Sequence, residues 1–476
     1  MFLKGFLTNS SGILTSRILG FFRDLLTATT LGAGMYSDMF FVAFKLPNLF
    51  RRVFGEGAFN QSFLPNFFQA RFRGGFALKI AGIFCAILLV LSLFVCIFSE
   101  PITKLLAFGF SQELIQSTAP LVAINFWYLL LIFIVTIFGA ILQYKRNFTA
   151  WAFSPALLNL SMIIALLLAR NSDSYTAVLI LSYGVLLGGI AQILLHFIPL
   201  YHLGFLKLLC TGFKELQGKS KHAKARVESI NGSVKVFFKQ FFPAMLGSST
   251  AQIASFIDTL LASFLASGTI SYLYYANRIF QLPLAVFAIA TSTALFPLVA
   301  KYIKQSQESN ALKALSKSFW LLVILLSICT LGGMMLDKEI IRLLFERGQF
   351  TREDTLIGAS VFSAYLIGLL PFGTAKIFSL WLYSKGQQVL AAKVSAVSLC
   401  FGSVLSLILM QYFGAVGLAL AGSISGFILL FLTLHFFGWK PFLQTLWNPK
   451  FIALTFGLLL LESLVLFSFK RYIFSL

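Results

Sequence analysis

Long apolar segments recur from one end of the chain to the other, separated by short polar connections. A helix needs about 20 mostly apolar residues to cross the hydrocarbon core of a bilayer. About thirteen segments meet this length, near residues 6–30, 35–56, 77–99, 119–143, 149–170, 175–199, 233–263, 270–300, 314–336, 355–384, 389–411, 414–437 and 450–470. No connection is long enough for a soluble enzyme domain. The pattern predicts an all-α polytopic membrane protein with about 13–14 transmembrane helices.

Composition and charge agree with this class. The chain is 58% hydrophobic and 11% charged, and 55 of its 476 residues are Phe. If the N-terminus is cytoplasmic, the basic residues that produce the net charge of +21 fall in alternate loops, at 51–79, 145–146, 201–239 and 301–317. This positive-inside bias describes topology, so we expect no nucleic-acid partner. Lys470-Arg471 does not fit, because an odd helix count places it outside; either the last helix is re-entrant or interfacial, or the count is off by one.

The two halves of the chain resemble each other at three places. Arg23-Asp24-Leu25-Leu26 is echoed by Ile257-Asp258-Thr259-Leu260-Leu261, Lys45-Leu46-Pro47 by Gln281-Leu282-Pro283, and Phe63-Leu64-Pro65 by Leu295-Phe296-Pro297. Parallel repeats in transporters enclose the substrate site between them. We therefore predict two parallel six-helix lobes around a central cationic cavity. The N-lobe covers 1–200, a linker 201–232, the C-lobe 233–437 and a C-terminal helix 438–476.

The linker has its own pattern, in which apolar residues alternate with lysines over 200–227. This favours a basic amphipathic helix on the cytoplasmic headgroups. A solvated run of charge is the alternative.

Charged side chains interrupt the first two apolar segments. They are Arg17, Arg23, Asp24, Asp38, Lys45, Arg51, Arg52 and Glu56. Each costs about 2.5–3.5 kcal/mol at bilayer depth, so they are tolerable only beside one another or in a water-filled cavity. Residues seven apart share one helix face, which places Asp38, Lys45 and Arg52 on one stripe that Glu56 continues. Pro47 is expected to kink this helix.

Two interpretations of these charges remain open. Structural pairing joins Arg17 to Asp24, Lys45 to Asp38 and Arg52 to Glu56. It leaves Arg23, and Arg278 in the eighth segment, without an obvious local partner. A surplus of guanidinium groups instead suits a multiply charged anion, because the planar fork grips phosphate oxygens.

Metal and cofactor chemistry is not indicated. The five cysteines and four histidines are scattered without ligand spacing. They are Cys85, Cys96, Cys210, Cys329, Cys400, His196, His202, His222 and His435. We expect no metal site and no cofactor.

Two gapless stretches carry a family resemblance. They are Ser16-Arg17-Ile18-Leu19-Gly20-Phe21-Phe22-Arg23-Asp24 and Phe40-Phe41-Val42-Ala43-Phe44-Lys45-Leu46-Pro47-Asn48-Leu49-Phe50-Arg51-Arg52, the second continued by Glu56-Gly57-Ala58-Phe59. The chain resembles the lipid II flippase family (MurJ/MviN) of the multidrug/oligosaccharidyl-lipid/polysaccharide exporter superfamily. The resemblance implies a transporter in the bacterial inner membrane. It would move undecaprenyl-pyrophosphate-linked peptidoglycan precursor from the inner to the outer leaflet by alternating access.

The resemblance also implies roles for individual residues. Arg17, Arg23, Arg52 and Arg278 match family arginines that contact the pyrophosphate. Asp24, Asp38, Lys45 and Glu56 are expected to gate the cavity as ion pairs, and Asp258 is a candidate cation ligand. Because 389–411 adds no Asp, Glu or Asn, coupling to a cation or to the membrane potential stays open. The family commonly has fourteen helices, the last two lining a groove for the lipid tail, against thirteen here.

Several alternatives accompany this interpretation. One is a flippase for another polyprenyl-linked oligosaccharide, and a second is a multidrug antiporter, which would need more carboxylates than arginines. A third is a membrane glycosyltransferase that uses the acidic segment 337–354, with Asp337, Glu339, Glu346, Glu353 and Asp354. We interpret that segment as an external loop or helix cap. We expect a monomer whose partners are lipid II, membrane lipids and proteins of cell-wall synthesis.

Overall fold

Helices form the architecture of this protein. A computed structural model of the protein describes residues 2–55, 58–217 and 221–473, and every regular element within them is a helix. Nine helical stretches in this part of the chain are long and apolar enough to cross a membrane. The predicted class, an all-α polytopic membrane protein, is confirmed. The number of crossings and the arrangement in six-helix lobes stay predictions.

Packing groups the chain into two compact units. The first comprises the residues up to Phe264 together with Arg347–Gln349, and the second comprises the remainder from Leu265 onward. The helix that begins the predicted C-lobe, at 233–263, belongs to the first unit. The predicted lobe and linker boundaries stay predictions.

Twelve α-helices of the first unit fall in the described residues. They are α1 (Phe2–Leu31), α2 (Met35–Ala43), α3 (Lys45–Gly55), α4 (Ala58–Gln69), α5 (Arg73–Ile97), α6 (Ser99–Leu106), α7 (Gln112–Phe126), α8 (Tyr128–Tyr144), α9 (Thr149–Leu168), α10 (Ser174–His202), α11 (Phe205–Leu216) and α12 (Lys221–Ala262). α9 packs along α1 on one side and along α10 on the other, and α11 packs on α5. The predicted linker thus contains a helix, α11, and the start of α12.

The predicted second span is interrupted at Phe44, between α2 and α3. A proline ring clashes with the carbonyl four residues earlier and donates no hydrogen bond. For Pro47 that carbonyl belongs to Ala43, the residue at which α2 ends. The expected break at Pro47 is confirmed.

Nine α-helices of the second unit fall in the described residues. They are α13 (Thr269–Pro283), α14 (Ala290–Lys304), α15 (Glu308–Met335), α16 (Asp337–Phe345), α17 (Arg352–Leu366), α18 (Leu369–Ser384), α19 (Gln388–Phe437), α20 (Trp439–Leu446) and α21 (Pro449–Ile473). α19 joins two predicted spans, which meet at Gly414 with φ 54° and ψ −129°. Only glycine adopts this backbone conformation readily, so Gly414 marks the boundary.

The two copies of the Leu-Pro repeat both lie at irregular helix. Pro47 follows the break at Phe44, and Pro283 is followed by a π-helical segment at Leu284–Ile289. A π-helical turn pairs each N–H with the carbonyl five residues earlier. Each unit therefore departs from regular α-helix at the corresponding place in its sequence.

The acidic segment 337–354 forms helix ends. Asp337 begins α16 and accepts a hydrogen bond from the Ser363 hydroxyl (2.7 Å). Thr351 caps α17: its hydroxyl accepts from the Asp354 N–H (3.3 Å), and the Asp354 carboxylate accepts from the Thr351 N–H (2.7 Å). The helix-cap interpretation is therefore confirmed for Asp354.

Lys470, which the positive-inside rule did not explain, pairs with this same segment. Its ammonium lies 3.0 Å from the Glu339 carboxylate and donates to the Met335 carbonyl (2.9 Å). The charge of Lys470 is therefore balanced by Glu339.

Candidate functional site

A buried ion pair lies on α1, in the first unit. Arg23 is 8% exposed and Asp24 is 1% exposed. The Arg23 Nη2 and Nε groups both donate to Asp24 Oδ1, at 2.5 and 3.1 Å. Adjacent residues on a helix point about 100° apart, so the long arginine side chain curls back to reach its neighbour. The pair neutralises the carboxylate inside the packed unit.

Asn159 of α9 connects this pair to the neighbouring helix. Its side-chain oxygen accepts from Arg23 Nη1 (3.0 Å), and its amide nitrogen donates to the Ser16 carbonyl (3.0 Å). Gly12 lets the two helices approach closely, because a Cβ there would lie 2.5 Å from the Ala152 carbonyl oxygen. α1 is thus fixed to α9 on both sides of Arg17.

The pairing on α1 differs from the one expected. The structural-pairing interpretation joined Arg17 to Asp24 and left Arg23 without a local partner, and both parts of it are wrong. Arg23 reaches Asp24 from the next position, whereas Arg17 lies two turns earlier and is exposed. Arg17 forms no hydrogen bond or ion pair with another described residue. Its guanidinium group is therefore accessible.

The predicted stripe of Asp38, Lys45 and Arg52 does not lie on one continuous helix. Asp38 is 3% exposed on α2, Lys45 begins α3, and the break at Phe44 separates them. The seven-residue rule requires uninterrupted helix, so it does not relate Asp38 to Lys45, whereas Lys45 and Arg52 both lie on α3. The Arg52 side chain and the whole of Glu56 lie outside the described residues.

The Lys45 side chain, on α3, forms a hydrogen bond to a residue of α12. Its ammonium donates to the Ser255 hydroxyl (2.8 Å), and its charge also acts on the carboxyl of Asp258. Ser255 and Asp258 are three residues apart and share a face of α12. The structure therefore brings together two predicted residues, Lys45 and Asp258, that are distant in the sequence.

Arg278 lies in the second unit, half-buried on α13. Polar side chains neighbour it on this helix, where the Gln281 side chain donates to the Asn277 side-chain oxygen one turn away. Arg278 itself is held by contacts within the fold. It occupies a polar face of a helix that is otherwise largely buried.

Comparison with known proteins decides the family. A family model described as lipid II flippase MurJ matches residues 27–473. The chain belongs to the lipid II flippase MurJ family. The probable lipid II flippase MurJ of Helicobacter pylori is 55% identical over 449 residues, covering 94% of this chain and 97% of the relative. The corresponding protein of Buchnera aphidicola from Acyrthosiphon pisum is 33% identical over 438 residues, covering 90% and 82%.

Solved structures agree with this membership in the MurJ family. A lipid II flippase MurJ in an inward closed conformation has a TM-score of 0.78 at 25% identity, covering 98% of each chain. An inward-facing multidrug resistance MATE transporter has a TM-score of 0.69 at 12% identity, covering 89% of this chain and 94% of that one. The second match shows only a shared fold. The family resemblance expected from residues 16–59 is confirmed.

Buried amides are the residues that the sequence interpretation missed in this MurJ family member. Besides Asn159, Asn125 donates to the Ser182 hydroxyl (2.8 Å), and Gln192 donates to the Ser154 carbonyl (2.8 Å). A polar side chain within a membrane segment is costly unless it is paired. An isolated Asn or Gln in an otherwise apolar span was the available signal.

Proposed function

We propose that this protein is a flippase for lipid II, the undecaprenyl-pyrophosphate-linked peptidoglycan precursor, and moves it from the inner to the outer leaflet. Membership of the lipid II flippase MurJ family over residues 27–473 carries the proposal. The protein is then a transporter in the bacterial inner membrane rather than an enzyme. The buried charges on α1 and the accessible Arg17 supply the polar interior that an anionic headgroup needs.

The arginines provide the headgroup contacts in this proposal. Arg17, Arg23, Arg52 and Arg278 bind the pyrophosphate and the groups beside it. A guanidinium group gives two parallel hydrogen bonds to phosphate oxygens and keeps its charge at all physiological pH values. Arg17 is exposed, so it is available to meet the headgroup without breaking an ion pair with a described residue.

In the absence of substrate, the Asp24 carboxylate binds the guanidinium group of Arg23 in place of a phosphate. The carboxylate occupies the Nη2 and Nε donors of Arg23, which are the atoms that would grip a phosphate. When the headgroup arrives, Arg23 exchanges one anion for another and Asp24 is released. Asp38, Lys45 and Glu56 act with Asp24 as the ion pairs that close the cavity in alternating access.

The nearness of Lys45 to Asp258 bears on energy coupling. A lysine ammonium near Asp258 supplies the positive charge that a bound cation would bring to this carboxylate. We therefore favour coupling to the membrane potential over a cation held by Asp258. Moving one charge across 100 mV is worth about 2.3 kcal/mol. If collapse of the potential leaves flipping unchanged in vesicles, this coupling is wrong.

The family resemblance extends the proposal to partners. We expect the protein to act as a monomer alongside the proteins of cell-wall synthesis that consume lipid II. A monomeric mass of the purified protein in native mass spectrometry is the expected result, and a stable dimer would contradict it.

Rescue of growth tests the function and the arginine site together. Bacteria depleted of their own lipid II flippase receive the wild-type gene or genes carrying Arg17→Ala, Arg23→Ala or Arg278→Ala. We expect rescue by the wild type and loss of rescue in variants present in the membrane at wild-type level. Rescue by all three variants would support the function as a lipid II flippase but contradict the proposed arginine site. Failure of a well-expressed wild type would favour another polyprenyl-linked oligosaccharide as substrate.

A further inference from the structure

A cavity of about 670 Å³ lies in the first unit, away from the charges on α1. It is open on one side and is lined by the loop between α4 and α5, the C-terminal ends of α8 and α10, and one face of α11. Its basic lining residues are Arg71, Arg73, Lys145 and Lys207, and its aromatic ones are Phe67, Phe68, Tyr144 and Phe205. The size is typical of a pocket for a small ligand.

The cavity has an excess of positive charge. Glu215 is the one carboxylate among its lining residues, and it accepts a hydrogen bond from the Gly75 N–H (2.6 Å). That contact places the Glu215 charge against the N-terminal end of α5. Within the described part of the chain, none of the four basic lining residues forms an ion pair. The unbalanced charge favours an anionic ligand.

Arg73 is held in place at this cavity. Its Nη2 group donates to the Phe68 carbonyl (3.2 Å), and its guanidinium lies 5.3 Å from the centre of the Tyr144 ring. Tyr144 in turn meets Phe67 edge-to-face with ring centres 4.9 Å apart. An arginine fixed on an aromatic ring is pre-organised for an anion, because little side-chain freedom is lost on binding.

α11 presents three different faces. Gly212 is buried against α5, where a Cβ would lie 2.6 Å from the Gly74 backbone, and on the same side Phe205 is buried against the rings of Phe138 and Phe197. About 100° around the helix, Leu206 is 48% exposed and Phe213 is 57% exposed. The third face carries Lys207, which lines the cavity. Neighbouring apolar and basic stripes are typical of a helix at the membrane interface.

We propose that this cavity binds the phosphate of an anionic glycerophospholipid from the cytoplasmic leaflet. Arg73 and Lys207 contact the phosphodiester, Tyr144 and Phe205 contact the glycerol region, and the acyl chains extend along exposed apolar surface. Basic residues in alternate loops place this end of the unit on the cytoplasmic side. The bound lipid joins α5, α8, α10 and α11 at a place separate from the proposed lipid II site.

Native mass spectrometry of the full-length protein in neutral detergent tests this site. Phosphatidylglycerol is titrated into the wild type and into Lys207→Ala, Arg73→Ala and Lys214→Ala variants, with phosphatidylcholine as the uncharged comparison. Lys214 is the matched control, because it is exposed on α11 and does not line the cavity. One basic residue near an anionic lipid is worth about fivefold in affinity. We expect that loss for binding of the first phosphatidylglycerol to each cavity variant, and less than twofold for Lys214→Ala.

Several outcomes would overturn the proposal. Equal phosphatidylglycerol binding by Lys207→Ala and the wild type would remove the cavity as the site. An equal loss in Lys214→Ala would show general surface attraction. Displacement of the lipid by inorganic phosphate at the same concentration would assign the site to a free anion. Displacement by lipid II would assign it to the substrate. If Arg73→Ala does not fold, the exposed Lys207 still gives the answer.

Discussion

The buried pair of Arg23 and Asp24 gives a prediction that separates fold from transport. Replacing Arg23 by alanine leaves a carboxylate that is 1% exposed without its guanidinium partner, and frees the Asn159 side-chain oxygen. Removing one member of a buried ion pair costs about 3–5 kcal/mol. We predict that Arg23→Ala lowers the free energy of unfolding by about that amount.

Removing both charges should cost less stability than removing Arg23 alone. When both members of a buried pair become apolar, the loss is small, because no charge remains to be solvated. The double variant Arg23→Ala, Asp24→Ala is therefore expected to recover at least half of the lost stability. Transport should stay low in the double variant, since the guanidinium that meets the pyrophosphate is still absent.

The assay measures both properties on the same variants. Steric trapping in detergent micelles gives the free energy of unfolding, and growth of flippase-depleted bacteria reports transport. Arg17→Ala is the control, because Arg17 is exposed and a surface substitution changes stability by about 0.5 kcal/mol or less. It should unfold like the wild type and still fail to rescue growth. If Arg23→Ala is as stable as the wild type, or the double variant is no more stable than Arg23→Ala, the reasoning is refuted.

Three further substitutions test the backbone and the packing through the free energy of unfolding. Gly414→Ala forces alanine into a glycine-only conformation and should cost about 1–3 kcal/mol, whereas Gly457→Ala, in regular helix with open space around it, should cost nothing. Gly212→Ala should cost about 1–3 kcal/mol by pushing α11 from α5, and Gly232→Ala is its neutral control. Trp320→Phe removes the indole N–H that donates to a carbonyl of α20 (3.0 Å) and should cost about 1–3 kcal/mol. Equal stability of Gly414→Ala and Gly457→Ala would contradict the backbone argument, and equal stability of Gly212→Ala and Gly232→Ala would contradict the packing argument. A Trp320→Phe variant as stable as the wild type would contradict the hydrogen-bond argument.

Helix placement was predictable because a membrane span is defined by length and apolar composition alone. The segments at 149–170 and 175–199 correspond to α9 and α10, with ends within a few residues. Short helices were not predictable by the same rule. α16 and α20 have nine and eight residues, well below the length of a span. The break at Phe44 followed from Pro47, whose chemistry is local.

Partners within the site were harder to predict, because they depend on tertiary packing. Arg23 bonds to Asn159, which is 136 residues away in the sequence, and Lys45 bonds to Ser255, which is 210 residues away. Helical periodicity compares positions on one helix only. Periodicity therefore favoured Arg17 as the partner of Asp24. The side chain of the adjacent Arg23 is long enough to fold along the helix and reach Asp24 instead. The basic cavity beside α11 also required the packed structure, since its lining residues come from three separate stretches of the chain, 67–74, 141–145 and 200–215.

Lipid II translocation by the purified protein tests the central claim most directly. Vesicles containing the protein and fluorescent lipid II are treated with a quencher that does not cross the membrane. We predict that the wild type brings inner-leaflet lipid II to the quencher much faster than protein-free vesicles do, and that Arg17→Ala does not. A wild type no faster than empty vesicles, with faster movement of a different polyprenyl-linked oligosaccharide, would contradict the account.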